Sequence, residues 1–181
     1  MSYRVSLTVL LAAMASFSSL CRADEALNLE NPGFEADRQG WVWGKEDSES
    51  ELSRVTTESA YKGKLGLSVI VADGEQAPMG SSVLSNKVPV EPGSVYRMTF
   101  YARCNEKSGI GVMLQFYNEG FSIVGDAKQI LPMEVGDWTE YKVEAPAPPN
   151  AAYAAIFIHS WSRNRCNVDF DDFTISKVTK P

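Results

Sequence analysis

Three stretches of the chain could each present a row of chemistry-bearing side chains. In YRMTFYARC (96–104), strand alternation puts Arg97, Thr99, Tyr101 and Arg103 on one side and Tyr96, Met98, Phe100 and Ala102 on the other. In VMLQFY (112–117), Met113, Gln115 and Tyr117 stand opposite Val112, Leu114 and Phe116. In AAIFIHSW (154–161), Ala155, Phe157, His159 and Trp161 stand opposite Ala154, Ile156 and Ile158. One side of each is uniformly apolar, as a core face must be. The other mixes aromatics with Arg, Gln and His, where a plain solvated face would carry Lys, Glu, Thr and Ser. Flat rings beside guanidinium, amide and imidazole groups suit a pyranose, whose C–H face stacks on a ring while planar donors and acceptors meet its hydroxyls. The same aromatics could instead pack under a loop, but Arg103, Gln115 and His159 would then need buried partners.

A fourth feature is NPGFEADRQGWVWGKED (31–47), which sets Trp41 and Trp43 among charged residues and glycine with no apolar run to bury them. One is expected to point inward as core and the other outward, with Trp43 favoured over Trp41 as the ligand-facing residue.

Enzyme chemistries find little support. His159 is the only histidine, and Ser160 and Ser162 beside it lack a G-x-S-x-G elbow. Zinc needs three or four ligands, and one histidine stands alone. Glycoside hydrolysis needs only two carboxylates about 5 to 10 Å apart. Pairs such as Glu119 with Asp126 can be drawn, yet they fall in a loop of a small sandwich. No phosphate-binding loop is present. The expectation is a binding protein, not an enzyme.

The elements that must position these residues read as strands. After residue 24 no helical period of useful length occurs. Runs rich in Val, Ile, Phe and Tyr recur between Gly, Pro, Asn and Asp clusters, the pattern of an all-β, two-sheet antiparallel sandwich. The clearest are LGLSVIVA, SVYRMTFYARC, GIGVMLQFYN, WTEYKVEAP, AYAAIFIHSW and CNVDFDDFTISKV, with ADGEQAPMGS, VEPGS, NEKSG, NEGFSIVGD and APAPPNAA read as turns.

Residues 1–23 read as a cleaved export signal: Arg4, a mostly apolar run from Val5 to Leu20, then Cys21 and Ala23 three residues and one residue before a cleavage site. The expectation is a secreted or periplasmic protein with no membrane span once the signal is removed. A single domain of about 158 residues, 24–181, would remain. The chain carries a net charge of −6, about −8 after Arg4 and Arg22 depart, and no basic stripe, which excludes nucleic acid as a natural partner. It is expected to act as a monomer. Cys104 and Cys166 survive processing and read either as one disulfide or as two free thiols.

NLENPGFEADRQGW, AYKGKLGLSV, VPVEPGSVYRMTFYAR, DWTEYKVEAPAPPNAAYAAIFI and VDFDDFTI occur in that order. Together they resemble carbohydrate-binding modules of the family 4/9/22, CenC-like type over roughly residues 27 to 178. The resemblance implies a galactose-binding-domain-like β-jelly roll that binds polysaccharide or oligosaccharide in a groove on its concave face. It places Tyr101 and Arg103 on that face, with the strands carrying Tyr117 and Trp161 in the same sheet. It also implies a structural calcium near the chain ends, held by Glu35 and one or both of Asp171 and Asp172, with backbone carbonyls near Lys62 and Gly63. The proposed groove is Trp43, Tyr101, Arg103, Gln115, Tyr117, His159 and Trp161. Such modules usually accompany a glycoside hydrolase, so an accessory role beside an enzyme is one alternative. A structural or adhesive domain that uses the aromatic face against protein is another.

Overall fold

The computed structural model describes residues 23–71, 80–106, 109–132, 134–161 and 164–179. Residues 1–23, expected to be an export signal, lie outside them apart from Ala23.

In chain order the elements are β1 (Glu25–Ala26), β2 (Trp41–Trp43), α1 (Lys45–Ser50), β3 (Ser53–Thr56), β4 (Gly66–Val71), β5 (Ser82–Ser85) and β6 (Val88–Pro89), then β7 (Val95–Cys104), β8 (Ile110–Tyr117), β9 (Ile123–Ile130), β10 (Thr139–Pro146), β11 (Tyr153–Ser160) and β12 (Cys166–Lys177). They form two antiparallel sheets. The back sheet runs β10-β7-β12-β4-β3, with β1 on β12; the front sheet runs β2-β5-β11-β8-β9, with β6 on β11. This is the two-sheet sandwich that the alternation predicts. Among the described residues no helix is long and apolar enough to cross a membrane.

The inward faces are the expected ones. Tyr96, Met98, Phe100 and Ala102 of β7, Val112, Leu114 and Phe116 of β8, and Ala154, Ile156 and Ile158 of β11 are all buried. Trp41 joins the sheets: its ring lies 4.8 Å from Phe34 and 5.4 Å from Phe173, while Phe173 stacks on Phe100 at 5.2 Å. Each such ring contributes roughly 2–3 kcal/mol by leaving water. In β12 a bulge sets Asp171 opposite Tyr101 but Thr174 opposite Thr99. The extra residue lets Phe170 and Phe173 both face the core.

Two expectations are corrected, and one open alternative falls on the side of free thiols. The NEGFSIVGD segment is not all turn, because β9 begins at Ile123 and pairs with β8. Only Val124 of that edge strand is buried, so it carries no apolar alternation to read. Trp41 and Trp43 do not point to opposite sides. Residues two apart on a strand share a face, and in β2 it is Val42 between them that turns outward. Cys104 and Cys166 are buried free thiols. Cys104 pairs with Val168, so Cys166 is its diagonal neighbour at about 7–8 Å, beyond the usual reach of a disulfide. Burial raises both thiols to about 11.

Candidate functional site on the front sheet

The outer face of the front sheet is built from rows that cross its strands. One row runs Val42, Leu84, Phe157, Met113, Gln129 by direct pairing. A second runs Ser82, His159, Gly111, and a third pairs Ala155 with Gln115. At one end Tyr153 pairs with Tyr117, and Tyr117 with Ile123. The central side chains lie low: Met113, Gln115 and Tyr117 are 5–8 % exposed. The flanks stand proud, with Val42 at 65 %, Phe121 at 58 % and Trp161 at 36 %. Low floor and raised borders make a trough.

Trp161 reaches into this trough because β8 carries glycine where it crosses. A Cβ on Gly111 would come within 2.8 Å of the Trp161 indole. A glycine inside a strand often marks such a close approach, a signal present in GIGVML and not used in the sequence reading. His159 lies edge-on to Trp161 at 5.6 Å and stacked on Phe157 at 5.2 Å. On the floor the Tyr117 hydroxyl donates to Gln115 Oε1 at 2.7 Å, which leaves the Gln115 amide nitrogen to donate elsewhere. Burial raises the Tyr117 phenol, so it stays a neutral donor. Beside the floor Lys87 Nζ sits 4.8 Å from the centre of the Tyr117 ring and 5.4 Å from that of Phe121. The trough therefore offers ring faces, an imidazole, an amide and one ammonium, all held by neighbours.

Gln115, Tyr117, His159 and Trp161 are thus brought to one face, joined by Phe157, Met113, Leu84 and Val42. The other three groove candidates are elsewhere. Tyr101 and Arg103 belong to β7, which lies in the back sheet; β8 and β11 lie in the front sheet. Alternation tells which side of its own strand a residue takes, and is silent about which sheet the strand joins.

On the back sheet these two are held by their neighbours. The Tyr101 ring stacks on Tyr61 at 3.9 Å, and Tyr61 meets Trp138 at 5.4 Å. Arg103 donates through Nη2 to Asp169 at 2.8 Å and to the Glu58 carbonyl at 2.7 Å, and lies 5.1 Å over Trp138. Asp169, nearly buried, also accepts from Ser59 Oγ at 2.9 Å. Trp43 turns toward the sandwich edge, where its indole N–H donates to the Ser53 carbonyl at 3.1 Å and Arg38 covers its ring at 4.8 Å.

The expected metal residues meet at a hollow of about 350 Å³ lined by Asn31, Pro32, Gly33, Glu35, Lys62, Gly63, Asp171 and Asp172. Glu35 Oε1 accepts the Lys64 and Leu65 N–H groups at 2.8 and 3.0 Å, and these bonds lower its pKa. Asp171 Oδ2 accepts Tyr61 N–H and Lys62 N–H at 2.8 and 2.9 Å, and Oδ1 accepts Asp172 N–H at 2.7 Å. Burial nevertheless raises the Asp171 carboxyl overall. Asp172 pairs with Lys62 Nζ at 2.6 Å. Among the described residues no group of three or more His, Cys, Asp or Glu side chains converges on one point. Calcium takes six to eight oxygens. The hard-oxygen chemistry of Glu35 and Asp171 suits it, with the remaining ligands left to backbone carbonyls and water. The N–H bonds already tie the opening segment and the 61–65 loop to β12 and to each other.

No protein-family model matches the chain, and no curated protein does. Solved structures match its fold. A family 16 carbohydrate-binding module superposes with a TM-score of 0.59 at 19 % identity, covering 80 % of this chain and 96 % of that one. A family 61 module, TmCBM61 in complex with β-1,4-galactotriose, gives 0.54 at 16 % identity, covering 83 % and 97 %. The CBM22-1 xylan-binding domain of Xyn10C from Paenibacillus barcinonensis gives 0.54 at 16 % identity, covering 88 % and 100 %. At these identities the likeness is one of fold: the β-sandwich of carbohydrate-binding modules.

Proposed function

We propose that this chain is a non-catalytic carbohydrate-binding module that holds polysaccharide or oligosaccharide along the outer trough of the front sheet. The observation that carries this is the convergence of Trp161, Phe157, His159, Gln115 and Tyr117 from two adjacent strands onto one recessed face. Trp161 and Phe157 would stack on sugar C–H faces, while His159 and Gln115 would meet hydroxyls. The fold shared with modules named for xylan and galactotriose supports the ligand class. Non-catalytic action fits a floor that, among the described residues, carries one histidine and no carboxylate pair.

Affinity electrophoresis of the protein against β-glucans, xylans, mannans, pectins and sulfated glycans tests the reading. Retardation by one class, relieved by its soluble oligosaccharides, is the expected result. Unretarded migration on every gel would refute it and favour a protein-binding face.

Three further readings belong with this proposal. Export with cleavage after Ala23 is tested by N-terminal sequencing of the mature protein. Monomeric behaviour is tested by sedimentation. A structural calcium at the Glu35–Asp171 hollow would supply a cross-link between the opening segment and β12. Melting in CaCl₂ against EDTA tests it, and coincident curves would remove the ion.

A further inference from the structure

Behind the trough lies a polar network that carbohydrate contact alone does not explain. Asp47, on α1, is 1 % exposed. Its Oδ1 accepts the Ser53 N–H at 2.8 Å. Its Oδ2 accepts from Ser53 Oγ at 2.7 Å, Ser81 Oγ at 3.0 Å and Ser82 N–H at 2.8 Å. Four donors around one buried carboxylate meet its desolvation cost. Ser53 and Ser81 are fully buried as well. Ser81 is held on every side: its N–H donates to Ser160 Oγ at 2.8 Å, and its carbonyl accepts Ser160 N–H at 3.1 Å.

That same carbonyl lies 2.9 Å from His159 Nδ1. A carbonyl oxygen can only accept, so Nδ1 must carry the proton. In a neutral imidazole the other nitrogen is then bare. Phe157 stacks on the ring and Trp161 closes its edge, and a flip of the ring within that plane would give up the Ser81 bond.

We propose that Asp47 is a positioning residue: through Ser81 it holds His159 as the Nδ1–H tautomer, which makes Nε2 a fixed acceptor for a hydroxyl of the bound sugar. This rests on the carbohydrate reading above for the identity of the donor, but the tautomer is a property of the free protein. The network also explains why a carboxylate and two serines are buried beside the sandwich edge, where apolar residues would pack at lower risk.

Nitrogen-15 NMR of the imidazole tests the positioning without a ligand, and with a single histidine in the sequence its signals need no assignment. The neutral ring of the wild type should show a protonated Nδ1 and a bare Nε2. Asp47→Asn, or Ser81→Ala if the first variant does not fold, should shift the ring toward a mixture of tautomers. An Nε2–H ring in wild type, or a tautomer unmoved by both variants, overturns the proposal. Binding tests the acceptor. His159→Gln, which returns an oxygen near the Nε2 position, should lose clearly less affinity than His159→Asn. His159→Asn, which keeps only the inner donor, should lose about tenfold, the worth of one ordinary hydrogen bond. Equal losses in the two variants would refute the acceptor role. Absence of glycan binding in wild type would sink the carbohydrate reading and leave the NMR result standing by itself.

Discussion

Truncating Trp161 to alanine asks the most of the trough. The indole is 36 % exposed, and a whole tryptophan side chain offers about 250 Å². Roughly 90 Å² is therefore open for a sugar to cover. At about 25 cal/mol per Å² that surface is worth about 2 kcal/mol, or about thirtyfold in Kd. The residue lies outside the core cluster, over Gly111 and edge-on to His159. Its loss should lower stability by less than about 2 kcal/mol, a few degrees in Tm for a domain of this size. Isothermal titration at 25 °C reads the affinity, and near-ultraviolet circular dichroism confirms that the variant stays folded. A folded variant whose Kd lies within twofold of wild type would show that sugar does not cover this ring. Gly111→Val gives a second approach, since the added side chain must displace the indole; it should weaken binding to a similar degree with the tryptophan still present.

The back sheet should behave oppositely. Arg103→Ala ought to leave glycan affinity within twofold while destabilising the fold by about 2 kcal/mol, because Asp169 loses its cation in a nearly buried site; weakened binding with unchanged Tm would return Arg103 to the groove. Acid should expose the Glu35 anchor. Its pKa is lowered in the folded state, so its contribution is present above the ordinary value of 4.5 and is lost as pH falls through the lowered one. Asp171, raised by burial, works the other way and favours the fold as it protonates. Glu35→Gln should thus melt lower at neutral pH and lose less on acidification than wild type; parallel melting curves across pH would refute the anchor. Cys104 and Cys166, with thiols raised to about 11, should resist a thiol reagent at pH 8 in the folded protein and react on unfolding. Fast reaction in the native state would mean that the core opens at the β7–β12 seam.

Much of the fold was legible because strand alternation is a local signal. The alternation of half-buried and buried residues along β7 can be read from YRMTFYARC without knowing any partner. So can the aromatic outer rows of β8 and β11, which is why Gln115, Tyr117, His159 and Trp161 were found. Other features escaped for definite reasons. Trp43 was misplaced because two residues of strand bring the same side round again. Edge strand β9 was read as turn because one buried residue in eight leaves no period to see.

What the sequence determined was the inner and outer side of each long strand, the turns between most of them, and the kinds of side chain each side would show. Only the tertiary structure decided which outer sides became neighbours. That choice depends on strand pairing between residues as distant as Leu84 and Phe157, and on β7 pairing with β10 and β12 rather than with β8. Long-range pairing is set by how all the apolar faces can be buried at once, a property of the whole chain that no single stretch carries. The same holds for Asp47: in KEDSES it is one acid among several, and it gains its place beneath His159 only when α1, β3 and the segment leading into β5 close around it.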